Sequence, residues 1–277
     1  MPIMFNTLLE AEGFRLADVR LLRHKDNRAA KGRSPYDLWR DDRPRFNSYQ
    51  ATQSIGNQAK LESLFWAVFV GTPNDETLFV GMHAISNRRL LDVDSPMPHM
   101  DGVDTAGSCN VYDLALEERM SDLIGKLVID WGPGERAWIQ RADQQNKRVS
   151  ELRTGFKEPA FPGFTRFIEP LSRIEGLPSS WAAVLGSIRG VYLLTCPRTR
   201  EQYVGSATGE DGFLARWLAY VRTGHGGDVA LKSRDPSDYQ VSILEVAGSS
   251  LGVDEILALE TLWKQKLQSR DMGLNRN

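Results

Sequence analysis

RGVYLLTCPRTREQYVGSATGEDGFLARWLAYVRTG, residues 189–224, decides how the C-terminal third of this chain is read. RGVYLLT and QYVGSA are short runs rich in β-branched and aromatic residues on either side of CPRTRE, a pattern that predicts two antiparallel strands. The apolar spacing then lengthens over GFLARWLAYVRTG, which predicts a helix. Strand alternation sets Tyr192 on a face with Leu194, and Tyr203 on a face with Gly205, so that the phenols converge. Gly190 and Gly205 stand within the strands. A glycine there weakens a sheet unless another backbone or a ligand must come close. On the helix, Arg216 and Tyr220 are four residues apart and share a face, beside the apolar row of Phe213 and Trp217.

Upstream, PSSWAAVLGSI predicts a short helix with a Ser cap. Downstream, VDEILALETLWKQKL predicts a helix capped by Asp254, with Ile256, Leu259, Trp263 and Leu267 facing inward. Glu260 borders that stripe, where a surface glutamate is less expected. Asn275 lies in the polar terminal turn RDMGLNRN. On these residues the segment resembles the GIY-YIG nucleases: GVY at 190–192 matches the first triplet and YVG at 203–205 the second. Arg216 of ARW matches the helix arginine, Glu260 of ETLWKQKL the metal-binding glutamate, and Asn275 of GLN the terminal asparagine. Five elements in order are far more specific than any one tripeptide. Some family members carry His where this chain has Tyr220, as the bacterial excision-repair nuclease subunit also has Tyr. His225, nine residues beyond Arg216, is an accessory candidate, with Gly190, Gly205 and Lys264; the bland alternative for His225 is a solvated loop residue.

The resemblance implies one divalent ion, Mg²⁺ or Mn²⁺, on Glu260, with water completing the shell. Such ions take oxygen ligands and retain water, so one carboxylate suffices. Arg216 would clamp a phosphate oxygen with its planar fork. Tyr192 is the candidate general base or water-orienting group, Tyr203 and Tyr220 would orient water or phosphate, and Asn275 would hold Glu260 or the backbone around it. Which tyrosine takes the proton stays open.

The whole chain sets the frame. Its 277 residues suit two domains, and 41% hydrophobic with 25% charged residues is an ordinary globular balance. No run of about 20 apolar residues or signal peptide is present, so the expected location is cytoplasmic, away from membranes. Cys109 and Cys196 lack the spacing of a disulfide framework or zinc site. A net charge of -2 makes no global case for nucleic acid. Residues 20–60, however, carry 10 Lys and Arg against 4 Asp and Glu, whereas 61–151 carry 8 against 15. Arg33, Trp39, Arg43, Arg45 and Tyr49 in the basic stretch are candidate DNA contacts, phosphate for the cations and bases for the rings. The competing expectation is that these aromatics pack on their own domain.

The expected fold class is α+β. Residues 187–277 form a GIY-YIG α/β sandwich with a small central antiparallel sheet flanked by helices. Residues 1–155 form a β-rich mixed α/β DNA-recognition domain, and 156–186 a Pro/Gly-rich linker and lead-in helix. Within the first domain, residues 64–70 and 77–85 predict one hairpin, KLVIDW and RAWIQRA a second around Gly132-Pro133-Gly134, and residues 111–125 a helix burying Leu114, Met120 and Leu123. The expected activity is metal-dependent DNA endonucleolysis, as a restriction or defence enzyme acting as a homodimer on DNA. A repair or structure-specific nuclease, or an inactive DNA-binding module, are the alternatives.

Overall fold

The computed structural model describes residues 2–25, 33–132, 137–224 and 239–275. Two compact units divide the chain, Met1–Pro159 and Ala160–Asn277, and the protein is a mixed α+β structure. No helix among the described residues is long and apolar enough to cross a membrane.

In the first unit the helices are α1 (Phe5–Ala11), α2 (Pro35–Asp41), α3 (Arg43–Ala51) and α4 (Gln58–Leu61). Its strands are β1 (Val19–His24), β2 (Thr52–Ser54), β3 (Phe65–Gly71), β4 (Thr77–Leu90), β5 (Ser95–Pro96), β6 (Val103–Asp104), β7 (Cys109–Leu116), β8 (Leu127–Asp130), β9 (Ile139–Arg141) and β10 (Arg148–Leu152). The main sheet runs β10-β8-β4-β3-β1-β9, with β7 bridging β4 and β2. Its β1–β3 pair is parallel and its other pairs are antiparallel. The continuous apolar run of β3 follows from burial on both faces. Ala67 and Phe69 join Phe5, Leu9 and Phe79 on one side, while Trp66, Val68 and Val70 join Tyr36, Trp39 and Phe46 on the other.

The β3–β4 hairpin matches the sequence expectation. The other pair does not: β8 bonds to β10 and β4, and β9 bonds to β1, so the two segments are strands of one sheet without being partners. Pro133 and Gly134 lie outside the described residues. The helix expected over 111–125 is instead β7, followed by Met120 at φ +65° and a 3-10 turn at Ser121–Leu123. Strand β4, at 14 residues, pairs on one edge with β3, while on its other edge β8 takes only Thr77 and Leu78 and β7 takes His83↔Leu116 to Leu90↔Asn110. That ladder overrides a helical apolar spacing, because the backbone groups of β4 would otherwise be unpaired.

The second unit contains β11 (Ile168–Pro170), α5 (Ser179–Gly186), β12 (Gly190–Thr195), β13 (Gln202–Ala207), α6 (Gly212–Thr223), β14 (Gln240–Val246) and α7 (Val253–Lys266). The sheet is antiparallel, in the order β11-β14-β12-β13. Residues 160–186 are no linker. Phe167, Leu171, Ile174, Leu177 and Trp181 are buried in one cluster with Tyr192, Phe213 and Trp217, and Phe167 stacks on Trp217 at 5.4 Å. Pro162, Pro170 and Pro178, which suppress periodicity there, shape a wrapped segment whose aromatic side chains supply core. Two caps also differ from expectation. The N-cap of α5 is Pro178, without a side-chain bond, and the N-cap of α7 is Gly252, whose amide donates to the Glu255 carboxylate at 2.7 Å, leaving Asp254 inside the first turn.

Candidate active site

The register of the β12–β13 hairpin sets Tyr192 opposite Gly205. A Cβ at Gly205 would lie 2.5 Å from the Tyr192 hydroxyl oxygen and 2.9 Å from a ring carbon of Tyr203, so both phenols lie over this glycine. Gly190 has a comparable reason: a Cβ there would collide with the Glu245 carbonyl across the β12–β14 bulge. Helix α6 closes over this face with Phe213 and Trp217, which stack on each other at 5.2 Å. Arg216 and Tyr220 are carried beside them.

Three side chains meet there. Arg216 Nε donates to the Tyr192 hydroxyl at 3.1 Å, an Arg216 terminal nitrogen donates to the Tyr220 hydroxyl at 3.3 Å, and the two hydroxyls share a bond of 2.9 Å. The ring of Tyr203 approaches Tyr220 edge-on, with centroids 6.4 Å apart. Tyr192 is fully buried. Burial pushes its phenol well above the ordinary tyrosine range, Tyr220 adds to the shift, and Arg216 opposes it without cancelling it.

Glu260 stands elsewhere. Ser206, the residue after Gly205, turns to the opposite face of β13 by strand alternation. Its hydroxyl donates to Glu260 Oε2, and Lys264 Nζ pairs with Oε1 at 2.8 Å. The side chains of Lys264 and Glu260 are 5% and 12% exposed, so this ion pair is largely internal. Tyr192, Tyr220, Arg216 and the Tyr203 ring are therefore gathered on the α6 face, and Glu260, Lys264 and Ser206 on the α7 face. Asn275 does not touch Glu260: its Oδ1 accepts from Val204 N at 2.9 Å and from Ser269 Oγ at 2.6 Å, and its Nδ2 donates to Val204 O at 2.8 Å. It continues the ladder of the edge strand β13. His225 lies outside the described residues.

No family model, curated protein or solved structure matches the chain.

The divalent ion expected at Glu260 does not fit the carboxylate as it stands. Both oxygens are engaged, one of them by a buried ammonium, and a dication beside Lys264 would meet strong repulsion in a partly dehydrated setting. Among the described residues no three His, Cys, Asp or Glu side chains are grouped to hold a metal. Sequence reasoning passed over Ser206, although it directly follows the YVG triplet. The helical step from Glu260 to Lys264 was legible as a pairing.

The basic segment divides in two. Trp39, 2% exposed, lies in the core with Tyr36 and Phe46, with the exposed Phe156 ring edge-on to it, and Tyr49 packs on His24 and His99. Arg33 pairs with Asp41 at 2.7 Å. These three serve their own unit. Arg43 and Arg45 are exposed and have no acidic partner within ion-pair distance among the described residues; Arg43 rests on the Trp39 ring at 4.2 Å.

Proposed function

We propose that the second unit is a GIY-YIG-type endonuclease that hydrolyses DNA phosphodiester bonds. In this proposal the first unit recognises the DNA sequence or a modified base, as in a restriction or defence enzyme that acts as a homodimer on DNA. The observation that carries it is the guanidinium of Arg216 donating to two phenols at once.

Both phenols accept from one guanidinium, which itself only donates. A fixed positive charge held in place by two buried phenols is complementary to an oxyanion, and phosphodiester hydrolysis puts charge on the phosphoryl oxygens. Arg216 would compensate that charge. A buried phenol with a raised pKa resists ionisation, so Tyr192 fits the role of hydrogen-bond donor better than that of general base. No step is assigned to a metal at Glu260, because Lys264 and Ser206 hold its oxygens.

The test is digestion of methylated and unmethylated genomic DNA, with and without Mg²⁺, by the full chain and by Arg216→Ala, followed by sequencing of the ends. The expected result is cutting that falls by about 10²–10³-fold in the variant, the usual cost of removing one preorganised donor. Equal cutting by both proteins would remove the trio from the mechanism, and no cutting on any substrate would remove the nuclease. Tyr220 within the trio favours a second reading, a repair or structure-specific nuclease. A preference for branched over plain duplex DNA in the same assay would select it.

A further inference from the structure

The first unit contains a second constellation on the other side of its fold from the α1 core. A cavity of about 470 Å³ opens between α3 and the strands β4 and β7, with Ser48, Gln50, His83, Val111, Leu114 and Leu116 in its lining. Its size lies in the range of small-ligand sites. Gln50 is fully buried and His83 is 6% exposed, so both belong to the interior that the cavity reaches.

Their hydrogen bonding is incomplete at two atoms, Gln50 Oε1 and His83 Nδ1. Gln50 Nε2 and His83 Nε2 are 3.0 Å apart, which uses the amide as donor and the imidazole as acceptor. The amide oxygen, Gln50 Oε1, then has no hydrogen-bond partner among the described residues. A buried amide oxygen left so is uncommon in folded proteins and asks for a donor from outside the chain. Burial pushes the His83 imidazole down to about 4, with Arg43 contributing, so the ring is neutral at physiological pH and repels no ligand donor.

A cation is carried on the same helix. Arg43, Asn47 and Gln50 recur at i, i+4 and i+7 on α3, which aligns them on one face. Asn47 also lines the cavity. Arg43 holds no acidic partner within ion-pair distance among the described residues, and its guanidinium is propped on the Trp39 ring. The cavity thus combines apolar side chains of β7, the Arg89–Asp113 ion pair (2.7 Å) in its lining, a buried acceptor, and a cation further along α3.

We propose that this cavity binds a nucleotide, with the base between α3 and β7 giving an N–H to Gln50 Oε1 and the phosphate meeting Arg43. The chemistry required is a flat apolar body with a donor edge and an anionic tail. A base extruded from a DNA strand and a free nucleotide share that chemistry. The extruded base is the source favoured here, and that choice rests on reading the first unit as the part that recognises DNA. Extrusion is the usual means by which a protein examines a single base inside a pocket.

The test uses the full chain and an oligonucleotide carrying 2-aminopurine, whose fluorescence rises when the base leaves the stack, with deoxyadenosine monophosphate as a separate arm. Two variants probe the cavity. Ser48→Trp fills it from an exposed rim position without disturbing the core, and Gln50→Leu removes the acceptor; circular dichroism checks that both fold. The expected result is salt-sensitive oligonucleotide binding with a several-fold fluorescence rise, and about tenfold weaker binding with no rise in both folded variants. Binding of the monophosphate alone, lost in both variants, would keep the cavity and assign it to free nucleotides, overturning the DNA reading of the first unit. Oligonucleotide binding left unchanged by Ser48→Trp would overturn the cavity and spare that reading. Absence of both kinds of binding would overturn both.

Discussion

At the scale of single residues, the Lys264–Glu260 pair, 2.8 Å apart and largely internal, can be tested directly: removing Lys264 leaves a mostly buried carboxylate without its ammonium, a loss of about 3 kcal/mol by analogy with broken buried pairs. Lys264→Ala should therefore lower the melting midpoint of the second unit, and Mg²⁺ should partly restore it by taking the vacated side of Glu260. Thermal melts with and without Mg²⁺ check this; an equal Mg²⁺ effect on wild type and variant would show that the ion and the lysine do not compete. His83 is kept neutral by burial. Its folded pKa of about 4 lies below the unfolded value of about 6.5, so above pH 6.5 neither state is protonated and its contribution to stability is whole. Between about 6.5 and about 4 the unfolded chain takes up a proton that the folded chain refuses, and about 3 kcal/mol is lost across that window. Urea midpoints at pH 7 and pH 4.5 should fall further for wild type than for His83→Gln, and parallel falls would show that His83 does not titrate as described.

At the scale of elements, the β12–β13 hairpin shows what the sequence makes legible and why. Tyr192 and Gly205 on one face of the hairpin, and Arg216 with Tyr220 on one face of α6, follow from periods of two and of about four residues, which are local and can be read from the sequence itself; that α6 covers the Tyr192 face is set by packing. Glu260 is readable as an inward residue of α7, but which face of the sheet α7 covers is decided by a crossover that no local period encodes. The same limit explains β7. Its residues carry a helical spacing, and only the open edge of β4, far away in sequence, makes them a strand. Gln50 gives no signal at all, because a glutamine in a polar helix segment reads as surface until packing closes over it. The hairpin also yields a direct test of its own geometry. In Gly205→Ala the new methyl group must displace the fully buried Tyr192 ring, whose hydroxyl oxygen and Cζ would lie 2.5 and 2.7 Å from it. Overpacking of this kind costs about 1–3 kcal/mol. It should also separate Tyr192 from Arg216, so that nuclease activity falls further than the folded fraction does. A variant that loses stability while each folded molecule keeps full activity would show that the Tyr192 position is structural only.

At the scale of the whole molecule, the division at Pro159/Ala160 enlarges the unit to which nuclease activity is proposed to belong. The resemblance begins near residue 187, yet the core beneath Tyr192 and Trp217 is completed by Phe167, Leu171, Ile174, Leu177 and Trp181 from the preceding segment. Burying each such side chain contributes about 1.5–3 kcal/mol, so the five together supply on the order of 10 kcal/mol, as much as the net stability of a typical domain. Strand β11 adds backbone bonds as well, along the Ile168↔Ser242 to Pro170↔Gln240 register. A fragment comprising residues 160–277 should therefore fold cooperatively, whereas a fragment comprising residues 187–277 should not, although only the second matches the extent of the sequence resemblance. Urea unfolding followed by tryptophan fluorescence separates the two, because Trp217 loses its Phe167 partner in the shorter fragment. A sigmoidal transition of similar midpoint in both fragments would mean that residues 160–186 decorate the unit without holding it together.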